Sequence, residues 1–186
     1  MADINYYRLQ SGYASEYGTF VGLSWILVFA LYIAGVRTTS GMMMTLGMLC
    51  FCVLPVVPFY FARRFRRQLP DETNVGFGRA YWFCLMMLVY ASLLTAAGEY
   101  AYFKWMDDGA LIQAFRNMIE TPLAKQTYQE MGMMDTLKMM KEMLKDLSAL
   151  TPFDIAVSLF NQNIVLSFLL ALPAALFARK QTDVKR

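Results

Sequence analysis

The sequence predicts an all-α integral membrane protein: four transmembrane helices, with an extracytoplasmic helical insertion between the third and the fourth. Three observations predict it. Of the 186 residues, 58% are hydrophobic and 17% are charged, against roughly 25% charge in an average soluble domain, and the mean hydropathy is +0.38. The charges gather at the two ends and in two internal blocks. Four stretches between them, residues 19–36, 42–62, 80–103 and 153–178, approach the roughly 20 apolar residues that cross a hydrocarbon core of about 30 Å.

Residues 1–18 are polar, carry Tyr6, Tyr7, Tyr13 and Tyr17, and read as a cytoplasmic segment leading into the first span. That span reads as retained rather than cleaved. The polar stretch before Phe20 is too long for a signal peptide, and Val36-Arg37-Thr38-Thr39 is no small-residue cleavage site. Thr19, Gly22 and Ser24 are tolerated because a helix bonds its own backbone. The link at 37–41 is so short that the first two spans must form an antiparallel hairpin. In the second span Pro55 and Pro58 each remove a backbone donor and predict a bend, either a hinge or cavity wall or a tolerated kink.

Arginines set the expected orientation. Arg63, Arg64, Arg66, Arg67 and Arg79 flank the second and third spans, and Arg179, Lys180, Lys185 and Arg186 follow the fourth in a basic tail at 179–186. Positive residues mark the cytoplasmic side. With an even number of spans, both termini and the central arginine loop therefore share the cytoplasm, and residues 104–152 lie outside. Between Asp107 and Asp146 that outer piece has seven acids against five bases, as an outer loop should.

The outer piece reads as helical rather than loose. Asp108 is placed to cap a helix carrying Leu111, Ala114, Phe115 and Met118, Thr121-Pro122 signals the start of a second, and Gly132 breaks the chain. Beyond it Met133, Leu137, Met140, Leu144 and Leu147 recur at helical spacing, with Asp135, Lys138, Lys141, Glu142 and Lys145 mostly elsewhere. This is an amphipathic helix of about 15 residues. Its apolar stripe is the candidate partner surface, expected to lie along the membrane or over the bundle. The many methionines around it are poor evidence for a soft-metal site, which usually adds Cys or His.

Few residues invite chemistry. Histidine is absent, which removes the commonest general base and metal ligand. Cys50, Cys52 and Cys84 all lie in apolar runs and read as free thiols rather than a disulfide framework or zinc site. No catalytic group, cofactor or metal is expected, and the arginines flank spans rather than forming a soluble basic face for nucleic acid. Glu99 is the one carboxylate clearly inside a span, a functional position by default. Its place near the outer end predicts an interfacial group with a local salt bridge involving Lys104, among the belt residues Tyr100, Tyr102, Phe103 and Trp105. In the fourth span Asn161, Gln162 and Asn163 are expected to hydrogen-bond within the bundle, or else to line a polar path. A transporter would add midplane charges, matching broken helices or a repeat.

From Gly76 to Phe115 the run GFGRAYWFCLMMLVYASLLTAAGEYAYFKWMDDGALIQAF enters the third span with Phe77-Gly78-Arg79-Ala80. It has small residues at Ala91-Ser92 and ends in an aromatic exit and a D-rich turn. With the Met-rich helix, Thr151-Pro152 and Arg179-Lys180, it resembles domain-of-unknown-function family 4199, small bacterial four-span inner-membrane proteins. The resemblance covers nearly the whole chain and implies a multi-pass bacterial inner-membrane protein. No activity, cofactor or role for Arg79 travels with it. The reading of function is a non-enzymatic accessory or assembly partner of another membrane component. Its partners are the lipid bilayer and another membrane protein or a second copy of the chain, not nucleic acid. The alternative is a small transporter or lipid-handling protein using the polar residues of the fourth span.

Overall fold

The computed structural model describes residues 2–38, 40–69 and 75–179, with side chains from Arg8 onward. Eight helices follow one another among these residues, and they hold no strand. The long ones are α1 (Ala2–Arg37), the pair α2 (Gly41–Val53) and α3 (Val56–Gln68), α4 (Phe77–Trp105) and α8 (Pro152–Ala178). Taking α2 and α3 together, they supply four helices long and apolar enough to cross a membrane. The chain is a multi-pass membrane protein. The shorter α5 (Ala110–Glu120), α6 (Pro122–Glu130) and α7 (Met134–Ala149) form the insertion between the third and fourth spans.

The first helix is longer than its apolar run. Residues 2–18, expected as a separate leading segment, continue α1 without interruption. Ala14 and Tyr17 are fully packed in the core. Tyr17 stacks on Phe61 with centroids 4.9 Å apart, its hydroxyl donates to Gln68 Oε1, and Arg64 lies over its ring. A tyrosine brings both an apolar body and a polar tip, so this turn of α1 packs despite its polar neighbours. The Gln10 amide donates to the Arg79 carbonyl at 3.2 Å. One end of the bundle thus collects the start of α1, the end of α3 and the start of α4.

Helix α4 is the axis. It packs along α1 on one side and α8 on the other, and its inward face, from Ala80 through Phe83, Met87, Leu88, Ala91 and Ser92, is fully buried. Without water to repel them, membrane helices associate by close packing, and small residues allow the closest approach. Gly18 and Gly22, four apart on α1, are that surface. A Cβ on Gly18 would stand 2.6 Å from the Met87 carbonyl oxygen, and one on Gly22 would stand 2.9 Å from that of Ala91. On the α8 side the helix offers Ala171, Ala174, Ala175 and Ala178, all fully buried.

The hairpin of α1 and α2 closes as expected, with Gly35 against the Met44 backbone and Gly47 against that of Tyr32. The second span then breaks. Pro55 and Pro58 have no N–H for the carbonyls of Phe51 and Leu54, and both carbonyls are taken by donors three residues on. Leu54 N–H bonds Phe51 O at 3.3 Å, and Val57 N–H bonds Leu54 O at 3.1 Å. These tighter turns satisfy the backbone where no water can, and they re-aim the chain. Below the break α3 packs on α8, with Phe59 against Phe177 at 5.4 Å, whereas α2 packs on α1.

At the other end Arg37 donates to the Met106 carbonyl at 3.1 Å, tying α1 to the exit of α4. The cap there is Asp107, not Asp108. The buried Asp107 carboxylate accepts from the Tyr102 hydroxyl at 2.7 Å and from Leu111 N–H at 3.1 Å, while Asp108 and Gly109 take positive φ and turn the chain. Thr121 starts α6 by accepting from Ala124 N–H, Gly132 with φ of +67° separates α6 from α7, and α5 rests on α1. Thr151 and Asp154 start α8 with a reciprocal capping box.

Candidate functional site: an intramembrane cavity between α2 and α8

Because α2 follows α1 while α3 follows α8, the second span leaves a wedge of space beside the break. A cavity of about 470 Å³ occupies it. Met48 and Phe51 of α2, with Leu54 and Pro55 of the break, form one wall, and Asn163, Leu166 and Leu170 of α8 face them. Trp25, Phe29 and Tyr32 of α1, with Thr95 and Glu99 of α4, complete it. Of the two prolines, Pro55 lies in the cavity wall and Pro58 is buried outside it.

Glu99 reaches this cavity from α4, six residues before the helix ends at Trp105. Only 6% of it is exposed, and its Oε2 has no hydrogen-bond partner. The expected salt bridge is absent among the described residues. Five residues apart on a helix is not a shared face, and Lys104 lies instead over the rings of Tyr100 and Trp105, at 5.3 and 5.5 Å. The aromatic cluster around the exit of α4 is present, Phe29 meeting Tyr102 edge-on at 5.6 Å. Glu99 points away from it into the bundle.

Two other polar groups share the cavity. Trp25 is 7% exposed and its indole N–H is buried without an acceptor. Asn163 is half-buried on the opposite wall, and its backbone carbonyl accepts from the Ser167 hydroxyl at 2.7 Å. The Thr95 hydroxyl is already engaged, donating to the Ala91 carbonyl at 2.9 Å. The chamber is therefore mostly apolar, with a carboxyl and an indole N–H unmatched in its wall. The Trp25 donor is a contribution that sequence reading missed; only its spacing on α1 relative to Gly22 would have pointed inward.

The three amides of α8 do not act together. Consecutive helical residues turn by about 100° each, so a run of three cannot all face one side. Asn163 lines the cavity, while Asn161 and Gln162 are exposed on the outer side of α8 with Val165, Leu169 and Leu172. The expectation that all three pack into the bundle is corrected on this geometry.

In the insertion, Leu137 is buried and Met140 and Leu144 are half-buried against the α5 and α6 side, whereas Met133 and Leu147 are exposed. The Tyr128 hydroxyl meets Met140 Sδ at 3.5 Å. The middle of the expected partner stripe is thus covered from within the chain. A separate groove of about 480 Å³ lies where α5 crosses the end of α1, lined by Arg37, Gln113 and Asn117 among others. Arg63, Arg64, Arg66, Arg67 and Arg79 are exposed at the opposite end. Lys180, Lys185 and Arg186 lie outside the described residues. Cys84 is buried, Cys50 half-buried and Cys52 exposed, all as free thiols, and no cluster of potential metal ligands occurs among the described residues.

No curated protein and no solved structure matches the chain. One family does, described as a protein of unknown function, DUF4199, over residues 16–180. That match takes in the apolar run of every span, the cavity walls and the whole insertion, so the chain belongs to the DUF4199 family.

Proposed function

We propose that the protein is a non-enzymatic accessory or assembly partner of another membrane chain, which packs against the outer face of α8. The observation that carries this reading is the exposure of Asn161 and Gln162 within a largely apolar face of a spanning helix. Amide donors and acceptors in hydrocarbon lack the water that would satisfy them, and a neighbouring helix supplies the missing bonds at about 0.6 kcal/mol each. Ser158, Val165, Leu169 and Leu172 extend the same exposed side of α8 above and below the amides. The bacterial inner membrane is the proposed location. The arginine-bearing end of the bundle and both termini are assigned to the cytoplasm on their positive charge, with α5 to α7 outside.

A photo-reactive residue at Val165, used in native membranes, tests the reading. The expected product is a stoichiometric adduct with a different membrane protein, lost when Asn161 and Gln162 are both replaced by leucine. An adduct with a second copy alone would replace the accessory role by self-assembly, and lipid adducts alone would overturn both.

A further inference from the structure

We infer that the cavity between α2 and α8 is a binding site for an amphiphile bearing a protonated amine, whose ammonium pairs with Glu99 and whose apolar body fills the chamber.

Three features of the cavity select this class. The first is its charge balance. Glu99 is more than nine-tenths buried, its Oε2 has no partner, and no cation of the described chain pairs with it, since Lys104 is held over Tyr100 and Trp105 at the surface. A buried carboxylate without a counter-charge is costly, and a cationic ligand supplies that charge. The second is the wall itself. Trp25, Phe29, Tyr32 and Phe51 line the cavity with aromatic rings, and ring faces attract a desolvated ammonium. Apart from Thr95 and Asn163 the remaining lining is apolar and would reject a ligand that is polar throughout.

The third is position. Glu99 lies six residues from the end of α4, about 9 Å along the helix at 1.5 Å per residue. The chamber runs from there past Asn163, Leu166 and Leu170 toward the Leu54–Pro55 break deeper in the span. An amphiphile held with its head at Glu99 therefore keeps head and tail at the depths they take in a bilayer leaflet. Its volume of about 470 Å³ is within the range of about 300–1,000 Å³ of small-molecule sites. A primary ammonium on an apolar body comes either from an aminolipid of the bilayer or from a free amphiphilic amine.

Trp25 is the reporter. In a protein carrying W82F and W105F, both at exposed positions, the remaining indole lies in the cavity wall. Reconstituted in phosphatidylcholine nanodiscs, it should give a saturable emission change with dodecylamine and none with dodecanol. E99Q keeps the shape of the side chain and removes its charge, and should weaken dodecylamine by roughly tenfold or more, as expected for a lost charge-assisted bond. L166F keeps Glu99, adds no second indole and fills part of the chamber; it should weaken the response strongly or abolish it. Phosphatidylethanolamine nanodiscs separate the sources: an emission change present before any amine is added assigns the bilayer lipid, and its absence there assigns the free amine. A dodecylamine response that is unsaturable, equal for dodecanol or unchanged in E99Q overturns the proposal.

Discussion

The hydroxyls of Ser92 on α4 and Ser167 on α8 lie 3.2 Å apart, both fully buried. Each also donates or can donate to its own helix, Ser92 to the Leu88 carbonyl at 2.9 Å and Ser167 to the Asn163 carbonyl at 2.7 Å. A hydroxyl bonded back four residues has its polarity satisfied within its own helix. The pair therefore matters first for its small volume, which lets α4 and α8 approach, and second for the bond across the seam.

Those two contributions separate by substitution. Ser92→Ala should cost about 0.6 kcal/mol, the average for a bond between membrane helices. Ser92→Leu should cost more, about 1–3 kcal/mol from over-packing. Unfolding of the purified protein in mixed detergent micelles measures both. A leucine variant as stable as the alanine variant would mean that close approach is not what holds this seam.

The α1–α4 seam makes the same point more severely. Gly22→Val must displace the Ala91 backbone, 2.9 Å from the new Cβ, and Gly18→Val the Met87 carbonyl at 2.6 Å. Backbone does not yield as a side chain does. Each change should destabilise by about 1–3 kcal/mol or more, while Gly12→Ala on the same helix, with nothing within 4 Å, should leave stability unchanged or slightly raised. Equal effects at positions 12 and 22 would contradict the seam.

Next to Gly18 on α1, Tyr17 combines a buried ring with a hydroxyl bonded to Gln68. Tyr17→Phe keeps the stack on Phe61 and should cost about 0.5–1.5 kcal/mol, the net worth of one hydrogen bond. Tyr17→Ala empties the ring's place between Tyr13, Phe61 and Arg64 and should cost about 3–5 kcal/mol. If the two variants melt together, the residue acts through its hydroxyl rather than its ring.

Local signals in the sequence carried the spans, the hairpin, the Thr121-Pro122 and Thr151-Pro152 helix starts, and the break at the prolines. Each depends on a few adjacent residues. What depended on helix phase or distant pairing was not legible. In the sequence Gly22 reads only as a residue a span tolerates and Gly18 carries no signal, because the backbone they meet, at Ala91 and Met87, lies some seventy residues on. The distance of Glu99 to the helix end predicts an interfacial group, yet its rotation about α4 turns it inward, away from Lys104. The three amides are one group in the sequence, and the helical turn divides them. Asp107 and Asp108 are equivalent as cap letters, and only the left-handed backbone at Asp108 and Gly109 decides between them.

The break in the second span is the device that opens the cavity, and the double variant Pro55→Ala, Pro58→Ala tests it. Both substitutions return a donor, so Phe51 O and Leu54 O regain their partners four residues on and the tighter turns formed by Leu54 and Val57 N–H lose their reason. A continuous helix follows. Since α3 is anchored on α8 through Phe59 and Phe177, straightening carries α2 toward α8 and away from α1, where Gly35 and Gly47 now seat it. Spin labels at Met48 and Leu166, on opposite walls, placed in a background lacking Cys50, Cys52 and Cys84, should report a shorter distance in the double variant than in the parent. Amine binding at Glu99 should fall in parallel, because the chamber narrows with its carboxyl untouched. A distance unchanged within error would show that the seat of α2 on α1, rather than the proline pair, holds the cavity open.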